Sequence, residues 1–247
     1  MNEALLSAYV NEFLGYGSLE SPLWLIGPEA GGGRTSEERS KRLEVWNNRG
    51  RQELEDLQGY HAELGLPSRY DWSINIQKTW GSLIRVILAH KEGITANPEH
   101  VRTFQIEELG QTNGSNAVID LSQLSTPSMK TWHADHCDIA WLADRKTYEN
   151  CVLLRRCELI REKIAVNQHP KLVLFYGLSH QKYWERIAGA PFQPLKGSTD
   201  LSLVKSGTTI FAMMPHPNDR KRFRGKGARN QFFTNVGLVL RKELAQS

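Results

Sequence analysis

Four short runs are apolar at nearly every position rather than at alternate ones: Pro22–Ile26 (PLWLI), Ala117–Leu121 (AVIDL), Lys171–Tyr176 (KLVLFY) and Thr208–Met214 (TTIFAMM). A strand with one wet face alternates; a strand apolar throughout must be covered on both faces, as inside a parallel sheet. Between these runs the periodicity is helical. Thr35 and Glu38 have capping-box spacing and open a helix through Leu43 and Trp46, while Thr79–His90 and Cys151–Ala165 each carry a broad apolar face. Strands alternating with helices specify an α/β chain, expected as a three-layer α/β/α sandwich around a short central parallel four-stranded sheet. Residues 93–116 and 125–147 are less periodic and are expected to be surface loops. At 247 residues and 40% hydrophobic, with no repeat or low-complexity linker, residues 1–247 read as a single domain with its own core.

Composition removes whole classes of protein. No apolar run approaches the roughly 18–20 residues that span a bilayer. The opening stretch MNEALLSAYVNEFLG holds two acids and no basic segment, unlike a secretory signal, so a cytoplasmic location is expected. Cys137, Cys151 and Cys157 are too few, and wrongly spaced, for a disulfide framework or a four-cysteine cluster. His133, His136 and Cys137 lie close together but lack a fourth spaced ligand, so neither a metal nor a cofactor is expected. GxGxxG and GxxxxGK[ST] are both absent, which removes the dinucleotide fingerprint and the P-loop.

In an open α/β sheet, ligands sit beyond the carboxyl ends of the strands. The first run leads into Gly27-Pro28-Glu29-Ala30-Gly31-Gly32-Gly33, where glycines let backbone approach a ligand and a helix N-terminus follows. The fourth leads into Pro215-His216-Pro217-Asn218, a histidine on a stiff segment between two prolines. The second run contains Asp120, and the third ends at Gly177 with Ser179 and His180 beyond it. Each feature also has a plain structural reading: a strand-to-helix turn for the glycines, a stiffened loop for the prolines, a cap or ion pair for Asp120, a helix cap for Glu29. Net charge is only +4, yet residues 220–229 (RKRFRGKGAR) gather Arg220, Lys221, Arg222, Arg224, Lys226 and Arg229 without an acid. Such a run is either a solvated loop or a phosphate-binding surface; its place directly after His216 favours the second.

In this order and combination the chain resembles the uracil-DNA glycosylase superfamily. Gly27-Pro28-Glu29-Ala30-Gly31 stands where the family's motif A has forms such as GQDPY, GINPG and GEAPG, with Ala30 in place of the usual proline. His216-Pro217-Asn218 stands at motif B, which resembles HPSP. The clustered cysteines that hold an iron–sulfur centre in some branches are absent. The resemblance implies the sandwich fold over nearly the whole chain. It also implies an enzyme that flips a base out of DNA and hydrolyses its glycosidic bond, leaving an abasic site; a monofunctional monomer is expected. Glu29 is then the carboxylate that stabilises the cation growing on the sugar and orients water, and His216 the donor to the base O2. No lysine lies within either motif to form a Schiff base.

Asp120 stands where uracil-specific members carry an asparagine that pairs with O4 and N3–H. A carboxylate cannot donate to O4, but it can accept from the exocyclic amine of cytosine and, when protonated, donate to N3. Strict uracil enzymes also close the space beside C5 with a tyrosine, whereas Gly31, Gly32 and Gly33 leave it open. Together these features point to a cytosine with a bulky 5-substituent, such as the glucosylated hydroxymethylcytosine of phage DNA, and to antiviral defence. Uracil repair and a non-catalytic DNA-binding relative are the alternatives. Trp72 and Trp80 are candidates to stack on the base. Asn218, Arg220, Lys221, Arg222, Arg224 and Lys226 are candidates to hold flanking DNA, and Phe223 either wedges the duplex or belongs to the core.

Overall fold

A computed structural model describes residues 2–33, 35–66, 75–124, 132, 139–167, 170–196 and 200–245. Its strands are β1 (Gly15–Gly17), β2 (Leu23–Glu29), β3 (Leu54–Glu55), β4 (Asn116–Ser122), β5 (Leu172–Tyr176), β6 (Gln193–Pro194), β7 (Ser202–Ser206) and β8 (Thr209–Met214). They form one sheet in the order β3-β1-β4-β2-β5-β8-β7-β6. The four apolar runs are the inner strands β4-β2-β5-β8, all parallel, with Leu25 opposite both Val118 and Leu174, and Leu174 opposite Ala212. Every residue of these strands is buried except Pro28 and Glu29 at the end of β2, which is the double coverage their composition demands.

The expected four-stranded sheet is therefore only the centre of a mixed sheet of eight. On one edge β1 pairs antiparallel with β4 and parallel with β3; on the other, β7 pairs antiparallel with β8, and β6 with β7. The added strands are two to five residues long, and the half-exposed β7 shields the edge of β8. None of them is a continuous apolar run. β2 also extends through Gly27 and Pro28, so the glycine loop begins only after Glu29.

The helices are α1 (Glu3–Glu12), α2 (Ser36–Asn48), α3 (Leu57–Glu63), α4 (Lys78–Glu92), α5 (Pro98–Glu107), α6 (Arg145–Tyr148), α7 (Leu154–Asn167), α8 (Gln181–Ala188) and α9 (Lys226–Ala245). α2 begins as its capping spacing predicts, with the Thr35 hydroxyl accepting from the Glu38 amide at 3.2 Å. The expected helix Cys151–Ala165 starts inside a wide π turn, Glu149–Leu153, before α7 proper. Residues 93–116 correct a second expectation: they are not a loop, because Asn97 caps α5, Pro98 starts it, and Asn116 already belongs to β4. Within 125–147, the described part holds a 3-10 turn at Ala140–Leu142 and α6. α4 packs along α9, α7 against α8, and α1 against α2. Trp24, Trp46 and Trp184 are fully buried in a core continuous with the inner strands. No helix among the described residues is long and apolar enough to cross a membrane.

Candidate functional site

Because β4, β2, β5 and β8 are parallel, their carboxyl ends lie on one edge, and the residues singled out there come together. Asp120 stands opposite Gly27 and Glu29 opposite Ser122 in the β2–β4 register. A side chain at Gly27 would lie 2.1 Å from the Tyr176 hydroxyl, so its absence lets Tyr176 lay its ring across the end of β2. That ring sits 5.4 Å from the imidazole of His216. Burial, and after it the charge of Asp120, hold the Tyr176 hydroxyl well above its ordinary pKa. Asp120, Gly27, Tyr176 and His216 thus follow one another across the strand ends.

Asp120 is 9% exposed. No hydrogen bond among the described residues reaches its carboxyl group, and burial pushes its pKa from the ordinary 3.8 up to about 7. The nearby charge of Glu29 pushes the same way, while Arg156 and Arg42 oppose it. Arg156, from α7, is fully buried behind β4 and spends its donors on backbone. It reaches the carbonyls of Leu121 (2.5 Å), Asp120 (2.7 Å), Val10 (2.8 Å) and Phe13 (3.0 Å). Among the described residues Asp120 is therefore neither a helix cap nor half of a bonded ion pair, and its carboxyl accepts no hydrogen bond.

The glycine loop is stitched to α2. Arg42 donates to the Gly31 carbonyl at 2.9 Å and Arg39 to that of Gly33 at 3.0 Å. Gly32, at φ +87°, leaves room for the Arg42 guanidinium, which a side chain there would meet at 2.4 Å. Gly31 is different: a methyl group added to it would touch nothing within 4 Å. Glu29 does not cap α2, since Thr35 does. Its Oε2 accepts from Arg145 at 3.4 Å, and the Arg145 guanidinium lies 5.3 Å from the Trp132 ring. Trp132 adjoins Tyr148, whose hydroxyl is 3.0 Å from that of Ser122 on β4.

His216 accepts the Asn218 amide on Nδ1 at 3.0 Å, so the neutral ring carries its proton on Nε2. Burial lowers its pKa, the neighbouring His180 lowers it further, and Asp219 partly offsets both. The ring is thus neutral near pH 7, with one N–H to offer. The Asn218 side chain donates to Thr79 at 3.0 Å and ties this loop to the start of α4.

The basic run divides. Arg220, Lys221, Arg224 and Lys226 are exposed, but Arg222 is paired with Asp200 and Asp219 and so is not an unspent phosphate contact. Phe223, half-buried, packs on Phe232 and Phe233 with ring centroids 5.1 and 5.3 Å away and lies against the core. Trp80 stacks on His61 at 5.6 Å, which covers one of its faces. Trp72, His133, His136 and Cys137 lie outside the described residues. Among the described residues no group of three His, Cys, Asp or Glu is disposed to hold a metal. Tyr176, Arg42, Arg145 and Arg156 went unread in the sequence. Only Tyr176, a hydroxyl closing an apolar run, carried a local signal. A surface hollow of about 420 Å³, lined by Glu107, Glu108 and residues 111–115, lies at the amino end of β4, away from all of these groups.

No protein-family model matches the chain, and no curated protein matches it.

Proposed function

We propose that this chain is a monofunctional DNA glycosylase acting on an extruded cytosine with a bulky 5-substituent, built as one three-layer domain of the uracil-DNA glycosylase type. The observation that carries the reading is the series of groups along the strand ends: Glu29 at the end of β2, His216 just past β8, and a buried Asp120 carboxyl that accepts no hydrogen bond among the described residues. A buried polar group without a partner costs about 1–3 kcal/mol, and the edge of a base bound at the strand ends would supply the missing hydrogen bonds. The motif resemblance supports the same assignment of roles.

The step is a heterolysis. The C1′–N1 bond breaks and its electron pair stays with the base, so positive charge grows on the sugar and negative charge on the pyrimidine O2. Glu29 stabilises the sugar cation and takes a proton from the water that bonds to C1′. His216 donates its Nε2–H to O2, and as a neutral donor it needs no proton transfer to do so. The open space at Gly31 leaves room for a substituent on C5. Exposed Arg220, Lys221, Arg224 and Lys226 follow His216 directly in the chain and attract the phosphate backbone.

One observation also favours uracil. A carboxyl with a pKa of about 7 is partly protonated at neutral pH. The neutral acid has one donor and one acceptor, which fits N3 and the amine of cytosine, or O4 and N3–H of uracil. The test uses duplex and single-stranded oligonucleotides carrying uracil, 5-hydroxymethylcytosine or its glucosylated form, with alkali revealing abasic sites. Release of the modified cytosine is expected, falling about 10²–10³-fold in His216→Ala, and at least as far in Glu29→Gln. Release of uracil alone would move the assignment to uracil repair. DNA binding without release of any base would reduce the chain to a binding module.

A further inference from the structure

α4 and α9 run side by side in the same direction. Gly237 abuts Val86, Ala89 and His90, and further along α9 Arg241 donates to the carbonyl of His90. About two turns back from Gly237, α9 brings Arg229 beside the first turn of α4. Arg85 reaches back to the same level, its Nη1 donating to the Gly81 carbonyl at 3.1 Å. Two guanidiniums from two helices thus lie near both N-termini, close enough for the charge of Arg229 to act on Arg85. Neither has a carboxylate: among the described residues Arg85 bonds only to Gly81, and the Nε of Arg229 is buried with no acceptor. Arg85 is 5% exposed, and both burial and the charge of Arg229 depress its pKa. Like charges held this close, one of them out of water, destabilise the fold unless an anion completes them. Both helix N-termini add partial positive charge at the same place. The bond from Asn218 to Thr79 sets the pair beside the loop that carries His216.

We propose that Arg85 and Arg229 form a seat for one phosphodiester of the bound DNA strand; the choice of a phosphodiester over free phosphate rests on the glycosylase reading. The exposed basic loop attracts DNA, and the seat sets where the strand lies relative to His216. Binding of a fluorescein-labelled oligonucleotide across a salt series tests it, with the full chain and its Arg85→Gln, Arg229→Gln and double variants. Each single variant is expected to flatten the salt dependence by about 0.9 for duplex, or about 0.7 for single strand, in log K against log[salt]. The double variant should flatten it no further, because the two share one phosphate. Thermal melting supplies a second readout should Arg85→Gln fail to fold. In phosphate-free buffer Arg229→Gln should melt above the wild type, and inorganic phosphate at matched ionic strength should raise only the wild type. A rise with phosphate but an unchanged DNA slope would assign the seat to free phosphate and overturn the phosphodiester. No rise and no change of slope would overturn the seat altogether. The expected slopes in a chain that releases no base would keep the seat and sink the glycosylase reading instead.

Discussion

Asp120 makes the site sensitive to pH through the fold as well as through the chemistry. Its carboxyl has a pKa of about 7 in the folded chain and the ordinary 3.8 when exposed. Between those values the folded state keeps a proton that the unfolded state has lost, so stability falls as pH rises through the window. At roughly 1.4 kcal/mol per unit, ionised Asp120 costs the fold roughly 4 kcal/mol above it, and nothing below. Burial sets most of this shift; Arg156 and Arg42 oppose it, and Glu29 adds to it. Asp120→Asn removes the charge at nearly constant shape. Urea unfolding should show the variant more stable than the wild type by about 2–4 kcal/mol near pH 8, with the gain vanishing near pH 4. A gain of equal size at both pH values would mean that the wild-type carboxyl does not titrate in this window.

The end of β2 shows how an element delivers chemistry rather than merely supporting it. Gly27 is interior to the strand, where glycine is ordinarily a weakness, but its bare Cα is what admits the Tyr176 ring. Gly27→Ala would put a methyl group 2.1 Å from the Tyr176 hydroxyl and 2.3 Å from its ring. The expected cost is about 1–3 kcal/mol of overpacking. In Gly27→Ala/Tyr176→Ala most of that cost should disappear, giving a coupling above about 0.5 kcal/mol in a four-protein unfolding cycle; additive costs would show that the two do not share the space. Element by element, what could be read in the sequence follows the same logic. The inner strands were legible because their own composition demands cover on both faces. β1 (GYG), β3 (LE) and β6 (QP) are too short to carry a pattern and exist because a neighbouring edge holds them. α5 had its cap in Asn97 and its first-turn proline in Pro98, and it buries only Val101, Phe104 and Gln105, a short stripe that was passed over in the sequence. Glu29, Asp120 and His216 were legible as strand ends. Arg145 was not, since it meets Glu29 only across 116 positions of chain.

At the scale of the molecule, the parallel strands put all their carboxyl ends on one edge, and the parallel pair α4 and α9 brings two helix N-termini to the same place. That arrangement depends on how closely the two helices approach. A methyl group at Gly237 would lie 2.4 Å from the Val86 carbonyl oxygen, 2.7 Å from the Ala89 side chain and 3.0 Å from the His90 amide. Two of those neighbours are backbone and cannot swing aside, so Gly237→Ala must push the helices apart. α9 is 20 residues long, about 30 Å, and a displacement at its middle reaches Arg229 at its start. Glu29 and Asp120 are carried by β2 and β4, which this shift does not touch directly. The expected outcome is a loss of about 1–3 kcal/mol in stability and weaker DNA binding with a shallower salt dependence. Excision at saturating DNA should fall less than affinity does, so that KM rises more than kcat drops. Single-turnover excision alongside anisotropy separates the two quantities. A variant that keeps wild-type affinity while losing the chemical step would place the α4–α9 contact behind His216 rather than behind the phosphate seat, through the bond from Asn218 to Thr79.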